Sequence, residues 1–293
     1  MTTKFASLET RPGYRALIWR TFRRHKLAIL SLGLLLIFSL TAIFAAQVMP
    51  YDPNATNTDY AGGRPQPPST LYAFGTDNYG RDYLSRTISS LRISLFVGVT
   101  AVLFQLIIGV TVGTLAGYVG GWLDNLLMRI TDVFLAVPAF MLLLIVAGIL
   151  GGSLPALIVA IGVLNWMTVA RLVRAQILSL KQQEFVIAAQ AIGASHLRLM
   201  GMYLLPNTLS AIVVATTLAI PNAILTESAL SFLGLGVPPP NASLGNMLQE
   251  AQQWVRTAWW MWVVPGLTIS LIVLSFNFVG DGLRDALDPR TRR

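Results

Sequence analysis

The chain has 293 residues, 54% of them hydrophobic and only 12% charged; soluble domains carry about 25% charged residues, so much of this surface does not face water. The absence of cysteine excludes disulfide frameworks, thiolate metal centres and cysteine nucleophiles, and the two histidines, His25 and His196, have no metal-ligand spacing. A net charge of +8 would suit nucleic acid in a soluble protein, but here Lys and Arg gather in the segments between apolar runs, so no nucleic-acid partner is expected.

The first 26 residues carry seven Lys and Arg. They are too long and too polar for the basic start of a cleavable leader. Five uncharged runs follow, at residues 27–51, 93–123, 133–170, 199–226 and 257–280. A helix needs about 20 apolar residues to cross a hydrocarbon core about 30 Å thick, so four runs supply one span each. The 38 residues of 133–170 would form a helix about 57 Å long. The turn-forming sequence Gly151-Gly152-Ser153-Leu154-Pro155 divides that run into two spans. The expectation is an all-α membrane protein with six transmembrane helices in contact with the lipid bilayer.

With the N-terminus inside, 16 of the 21 Lys and Arg fall on the cytoplasmic side. Arg64, Arg81, Arg86, Arg92 and Arg256 fall outside. This bias places both termini in the cytoplasm. The chain then divides into a basic segment at 1–26, a first transmembrane helix at 27–50 and an extracytoplasmic loop at 51–87. A core transmembrane unit at 88–280 follows, with a cytoplasmic loop at about 171–202, and then a cytoplasmic tail at 281–293. A second outer segment near 231–256 holds Gly234, Gly236 and three consecutive prolines.

Several residues stand out in this layout. Gly109, Gly113, Gly117 and Gly121 recur every fourth position, a smooth helix face that another backbone can approach. Asp77, Arg81, Asp82, Arg86 and Arg92 mix both signs near the outer mouth, where they could hold a loop by ion pairs or meet a solute. Asp132 and Glu227 lie near the ends of spans, where structural roles are expected. Glu227, which follows Pro221 and Asn222, is with Asn222 a candidate for the pathway lining or outer gate, as are Arg92, Asp77, Arg81 and Asp82. Trp259, Trp260 and Trp262 suit the headgroup level at the start of the last span.

The loop before the fifth span is the most informative stretch. Phe185, Ala188, Ala189, Ile192, Leu197 and Met200 have partly helical spacing. Gly193 permits a bend, and Pro206 suits the first turn of the following span. A short helix, a turn and a new span are expected, and such a helix could dock in a partner's groove.

This stretch resembles the EAA loop of bacterial ATP-binding-cassette importer permeases. Ala188-Ala189 match its two alanines, Gly193 its glycine and Leu205-Pro206 its close, while Ile187 stands where the family usually has Glu and Tyr203 where it has Ile. A narrower resemblance, to the C-type subunit of the dipeptide/oligopeptide/nickel permeases, covers nearly the whole chain. It rests on Pro50-Tyr51-Asp52-Pro53, on Phe74 to Asp82 with Arg92 to Leu95, on Ala229 to Gly236, and on Gly280 to Arg290. Leu244 replaces a usual Trp and Ser90 a usual Gly.

The resemblance implies a type I importer permease fold in the plasma membrane of a prokaryote. It implies that Glu184, Ala188, Ala189, Gly193, Ala194 and Ser195 belong to a coupling helix seated on an ATPase, with Leu205 and Pro206 opening the next span. It also implies a homologous B-type permease, two ATP-binding-cassette ATPase subunits and an extracytoplasmic solute-binding protein. No G-x-x-x-x-G-K-[ST] sequence occurs, so no cofactor is expected on this chain, and ATP and Mg belong to the partner ATPases. Peptides are the expected cargo, with nickel complexes, glutathione or another small solute as the alternative. A self-contained secondary transporter would carry ionisable groups at mid-membrane and often inverted repeats. An intramembrane enzyme would need paired acids or a His beside a nucleophile inside the bilayer. Neither pattern is visible.

Overall fold

The computed structural model describes residues 14–57, 63–151 and 153–287. Lys4, Arg11, Gly152 and the basic tail from residue 288 lie outside them.

Helix α1 (Tyr14–Arg24) leads into α2 (Lys26–Ile43), and α3 (Ala45–Val48) extends that line after a break at Phe44. The central element is α4 (Tyr83–Val119), 37 residues long. Asp82 starts it by accepting the Ser85 backbone N–H at 2.8 Å. Gly120, at φ 72°, ends it. Then α5 (Gly121–Ala136) and α6 (Ala139–Leu150) form a pair bent by 82°. The bend falls at Val137-Pro138, where the proline ring crowds its predecessor out of the helical region, leaving Val137 at φ −92°, ψ 131°. The expected turn follows. Gly151 terminates α6, and Ser153 caps α7 (Leu154–Val163) by accepting the Ala156 N–H at 3.4 Å. Helix α8 (Trp166–Leu180) continues from α7.

Beyond it lie α9 (Glu184–Ala191), α10 (His196–Arg198) and a π-helical turn over Leu199–Leu204 that runs into α11 (Leu205–Phe232). Helix α12 (Leu244–Ala251) is short, with the Ser243 hydroxyl and the Asn246 amide oxygen each accepting the other's backbone N–H. The chain closes with α13 (Trp259–Leu287). The core places Val97 and Ala101 of α4 against Leu157 and Ile161 of α7 and Leu230 of α11.

Among the described residues, α2, α4, α7–α8, 196–232 and α13 are long and apolar enough to cross a membrane, and the bent α5–α6 pair brings the number to six. That is the expected number. Helix limits differ from the apolar runs, and in each case paired charges or close packing explain why. Helix α4 begins at Tyr83, ten residues before the run at 93, because Arg86 is buried with acidic partners. The third span starts at Gly121 rather than near 133. Helix α8 continues through Arg171 and Arg174, which an expected loop had claimed. Arg171 meets Asp132 at 2.5 Å, and Arg174 grips Asp124 with bonds of 2.5 and 2.6 Å, both acids lying on α5. Helix α13 runs seven residues past Gly280, because Gly282 admits Ala28 of α2 and Phe22 of α1 against its backbone.

The two ends of the bundle are distinct. The start of α4 meets α12 and the Trp cluster, where the Tyr83 hydroxyl donates to the Met261 carbonyl at 2.6 Å. Its last turn meets the α9–α10 segment.

Candidate functional site

The α9–α10 segment is built by capping. Helix α9 stops because Gly193 takes φ +83°, a conformation that side chains with a Cβ rarely adopt. Gly193 N–H then donates to Gln190 O at 3.0 Å and Ala194 N–H to Ala189 O at 3.1 Å, closing the helix end. Ser195 accepts the Arg198 N–H at 3.4 Å and opens the next turn. Pro206 has no N–H to give to the preceding turn, and the backbone just before it is widened into the π turn.

The two faces of this segment differ. Val186, Ala189, Leu199 and Leu204 are buried against Val173 and Ile177 of α8. Phe185, Ile187, Ile192 and Leu197 are exposed, Ile192 at 84% and Leu197 at 80%. The helical spacing in the sequence had grouped Phe185, Ala188, Ala189, Ile192, Leu197 and Met200 as one apolar set. Of these Ala189 is buried and Met200 packs against the core, while Phe185 and Ala188 of the same helix lie on its exposed side, and Ile192 and Leu197, on either side of the turn at Gly193, are exposed. Glu184, Ala188 and Ser195 are exposed, and Leu205 is half-buried.

This segment is tied to the long helix. The Tyr118 hydroxyl and His196 Nδ1 lie 2.6 Å apart, with the rings edge to face. Lys181 Nζ donates to the Tyr118 carbonyl at 2.7 Å. Sequence reasoning singled out none of these as a contact; an aromatic at the end of an apolar run beside a loop histidine was the available signal.

Helix α4 in turn is seated on α8 through its glycines. A Cβ on Gly109 would lie 2.7 Å from Val169 Cβ, one on Gly113 2.5 Å from Ala170 O, and one on Gly117 2.9 Å from Ile177 Cβ. Gly121 does not belong to this stripe. It lies beyond the end of α4 at φ +60°, with nothing within 4 Å of where a Cβ would lie.

Beside the α4–α8 seam lies a cavity of about 570 Å³ with a mixed polar and apolar lining. Gln105 of α4, Asn165, Thr168 of α8, and Asn222 and Thr226 of α11 face it. Asn222, a candidate for the pathway lining, faces this cavity. Gln105 and Asn165 were missed, although a lone amide in an apolar run is itself a signal.

Glu227 does not line this cavity. Its side chain is fully buried on the other side of α11, among Ser94 of α4, which donates at 3.1 Å, Ser231 at 2.7 Å and Ser228 at 3.4 Å. Ser231 Oγ also accepts the Val237 N–H at 3.2 Å. The carboxylate thus joins α4, α11 and the segment leading to α12. Hydroxyls from two helices satisfy the acid inside the protein.

The charged group near α12 also sorts differently from its sequence order. Asp77, fully buried, binds Arg81 Nε at 2.6 Å and Arg86 Nε at 3.3 Å. Glu250 of α12 completes the group, 3.2 Å from Arg86 and 3.5 Å from Arg81. Asp82 is the helix cap rather than an ion-pair member. Arg92 lies apart, exposed on α4. Three of the expected outer-gate residues, Asp77, Arg81 and Asp82, therefore anchor the loop before α4, and Glu250, which the sequence did not single out, clamps α12 to it through Arg81 and Arg86.

Comparison with known proteins agrees with this architecture. Residues 109–293 match the family described as binding-protein-dependent transport system inner membrane component. Residues 13–68 match the N-terminal TM domain of oligopeptide transport permease C. The chain is 42% identical over 278 residues to the dipeptide transport system permease protein DppC of Alkalihalophilus pseudofirmus, covering 94% of this chain and 89% of that protein. It is 42% identical over 272 residues to the oligopeptide transport system permease protein OppC of Bacillus subtilis, covering 93% and 88%. Among solved structures, an inward-facing MetNI methionine ABC transporter chain superposes with a TM-score of 0.58 at 20% identity, over 70% of this chain and 97% of that one.

Proposed function

The chain belongs to the family of binding-protein-dependent transport system inner membrane components, and from that premise we propose that it is the C-type permease of a peptide importer. It forms half of a translocation path, with a homologous B-type permease forming the other half. Two separate ATPase subunits bind ATP and Mg, an extracytoplasmic binding protein delivers the peptide, and both termini of this chain lie in the cytoplasm. Dipeptides or oligopeptides as cargo follow from relatives such as the dipeptide and oligopeptide permeases above.

One observation carries the coupling role. The α9–α10 segment buries Val186 and Ala189 but leaves Phe185, Ile187, Ile192 and Leu197 bare at the end of the bundle. An apolar face of this kind on a short helix fits a groove on a partner subunit. Its other face is held by α8, and Tyr118 and His196 link it to α4. A push on the segment is thereby passed to the helices around the Gln105–Asn222 cavity, as one rigid element with two positions. The path would run along that cavity, where amides and hydroxyls can replace water around a peptide backbone.

The test is reconstitution of this chain with its permease, ATPase and binding-protein partners in vesicles. Peptide-stimulated ATP hydrolysis and peptide uptake are expected only with all partners present. Peptide uptake by this chain alone, or a thiol introduced at Ile192 reacting from the external side, overturns the proposal.

A further inference from the structure

A second cavity, of about 850 Å³, opens near the α12 end and is bordered by Arg92. Its walls are mostly apolar, including Ile43, Phe96 and Phe276, with Ser39, Ser89 and Asn241 as the uncharged polar groups. Arg92 is exposed, and among the described residues no hydrogen bond or ion pair involves it. Of the five other arginines between residues 81 and 174, Arg81, Arg86, Arg171 and Arg174 have carboxylate partners, and Arg129 of α5 is exposed and borders no cavity described above.

Its position makes this notable. Arg92 is the last charged residue before the uncharged run that begins at Ile93, and before it Arg86, near the start of α4, joins the cluster of Asp77, Arg81 and Glu250. The guanidinium therefore stands at the edge of the apolar stretch, where leaving it without an anion or water is costly. The Gln105–Asn222 cavity cannot supply that partner. Gln105 is thirteen residues further on, about 220° around the helix axis, so the two cavities lie on opposite faces of α4.

Below Arg92 the same face continues as a bare apolar stripe of Phe96, Val99, Leu103 and Ile107. From Arg92 to Ile107 is about 22 Å along the helix, more than the roughly 15 Å of one leaflet. A cation above an apolar track of leaflet length matches one kind of molecule, an anionic headgroup with acyl chains.

We propose that this cavity is a phospholipid site. The Arg92 guanidinium binds the phosphate of a lipid from the leaflet at the α12 end, Ser39, Ser89 and Asn241 surround the headgroup, and an acyl chain lies along Phe96 to Ile107. The lipid neutralises Arg92 and fills the gap between α2, α4 and α13, on the face of α4 turned away from the Gln105–Asn222 cavity.

The test uses the assembled transporter in nanodiscs of equal phosphatidylglycerol and phosphatidylcholine, with retained lipid read by native mass spectrometry. Wild type and Arg92→Lys are expected to hold phosphatidylglycerol, and Arg92→Ala to hold about fivefold less. Val99→Trp, which keeps the charge but fills the cavity, lowers retention as well. Millimolar inorganic phosphate leaves the lipid in place, which separates a headgroup site from a free phosphate site. Unchanged retention in Arg92→Ala, or displacement by phosphate, overturns the proposal. So does cross-linking of Arg92→Cys, the sole thiol in a chain without cysteine, to the partner permease instead of lipid.

Discussion

Gly113 sits so close to Ala170 that a Cβ on the glycine would lie 2.5 Å from the alanine's carbonyl oxygen. The obstacle is backbone, so it cannot rotate aside. Gly113→Ala is expected to push α4 and α8 apart and to cost about 1–3 kcal/mol. Gly33→Ala in α2, where nothing lies within 4 Å, should be neutral or slightly stabilising through helix propensity. Thermal unfolding of the detergent-purified chain distinguishes the two, and equal melting temperatures would refute the close-packing account.

Glu227 is expected to matter through its serines. Glu227→Leu strands the hydroxyls of Ser94 and Ser231 inside the protein, costing about 1–3 kcal/mol for each buried group left unpaired. Glu227→Gln keeps an acceptor oxygen and should cost less. Ser231→Ala removes the partner of the Val237 N–H and should loosen the segment before α12. Hydrogen exchange at residues 233–243 reads that loosening directly.

Asp77 balances two buried arginines, whereas Glu250 is partly open to solvent. Breaking a buried pair by removing one partner costs about 3–5 kcal/mol. Asp77→Ala should therefore unfold the loop before α4 and reduce the amount of chain recovered from membranes, with Glu250→Ala milder. Recovery of Asp77→Ala at wild-type stability would show that the cluster is not a clamp.

Among the described residues, Ile192 on the bare face of the α9–α10 segment is 84% exposed. Ile192→Asp should therefore leave stability within about 0.5 kcal/mol while sharply lowering peptide-stimulated ATP hydrolysis in the complete transporter. Gly193→Ala meets no atom but forces a Cβ into a left-handed residue, and should cost about 1 kcal/mol locally. If Ile192→Asp couples normally, the docking surface lies elsewhere.

The six spans were legible because spanning is a property of consecutive residues: apolar length either reaches across hydrocarbon or does not. The turn at Gly193 and the break at Gly151 to Pro155 were legible for a similar reason, since Gly and Pro act on their own backbone. Helix limits were less so. Arg86, Arg171 and Arg174 ended the apolar runs in sequence, yet each lies inside a helix beside an acid from another element.

The site residues divide along the same line. By itself the sequence determined the fold class, the number of spans, and which loop is rich enough in apolar residues to leave a face uncovered. Only tertiary structure decided that Glu250 shares Arg81 and Arg86 with Asp77 across more than 160 residues of chain, that Glu227 turns toward Ser94 rather than the cavity, and that Arg92 has no acidic partner among the described residues. Hydrophobic length and backbone preference are local and add up along the chain. The fate of a single charge depends on which distant helix face comes to rest opposite it, and the packing of glycine against backbone settles that.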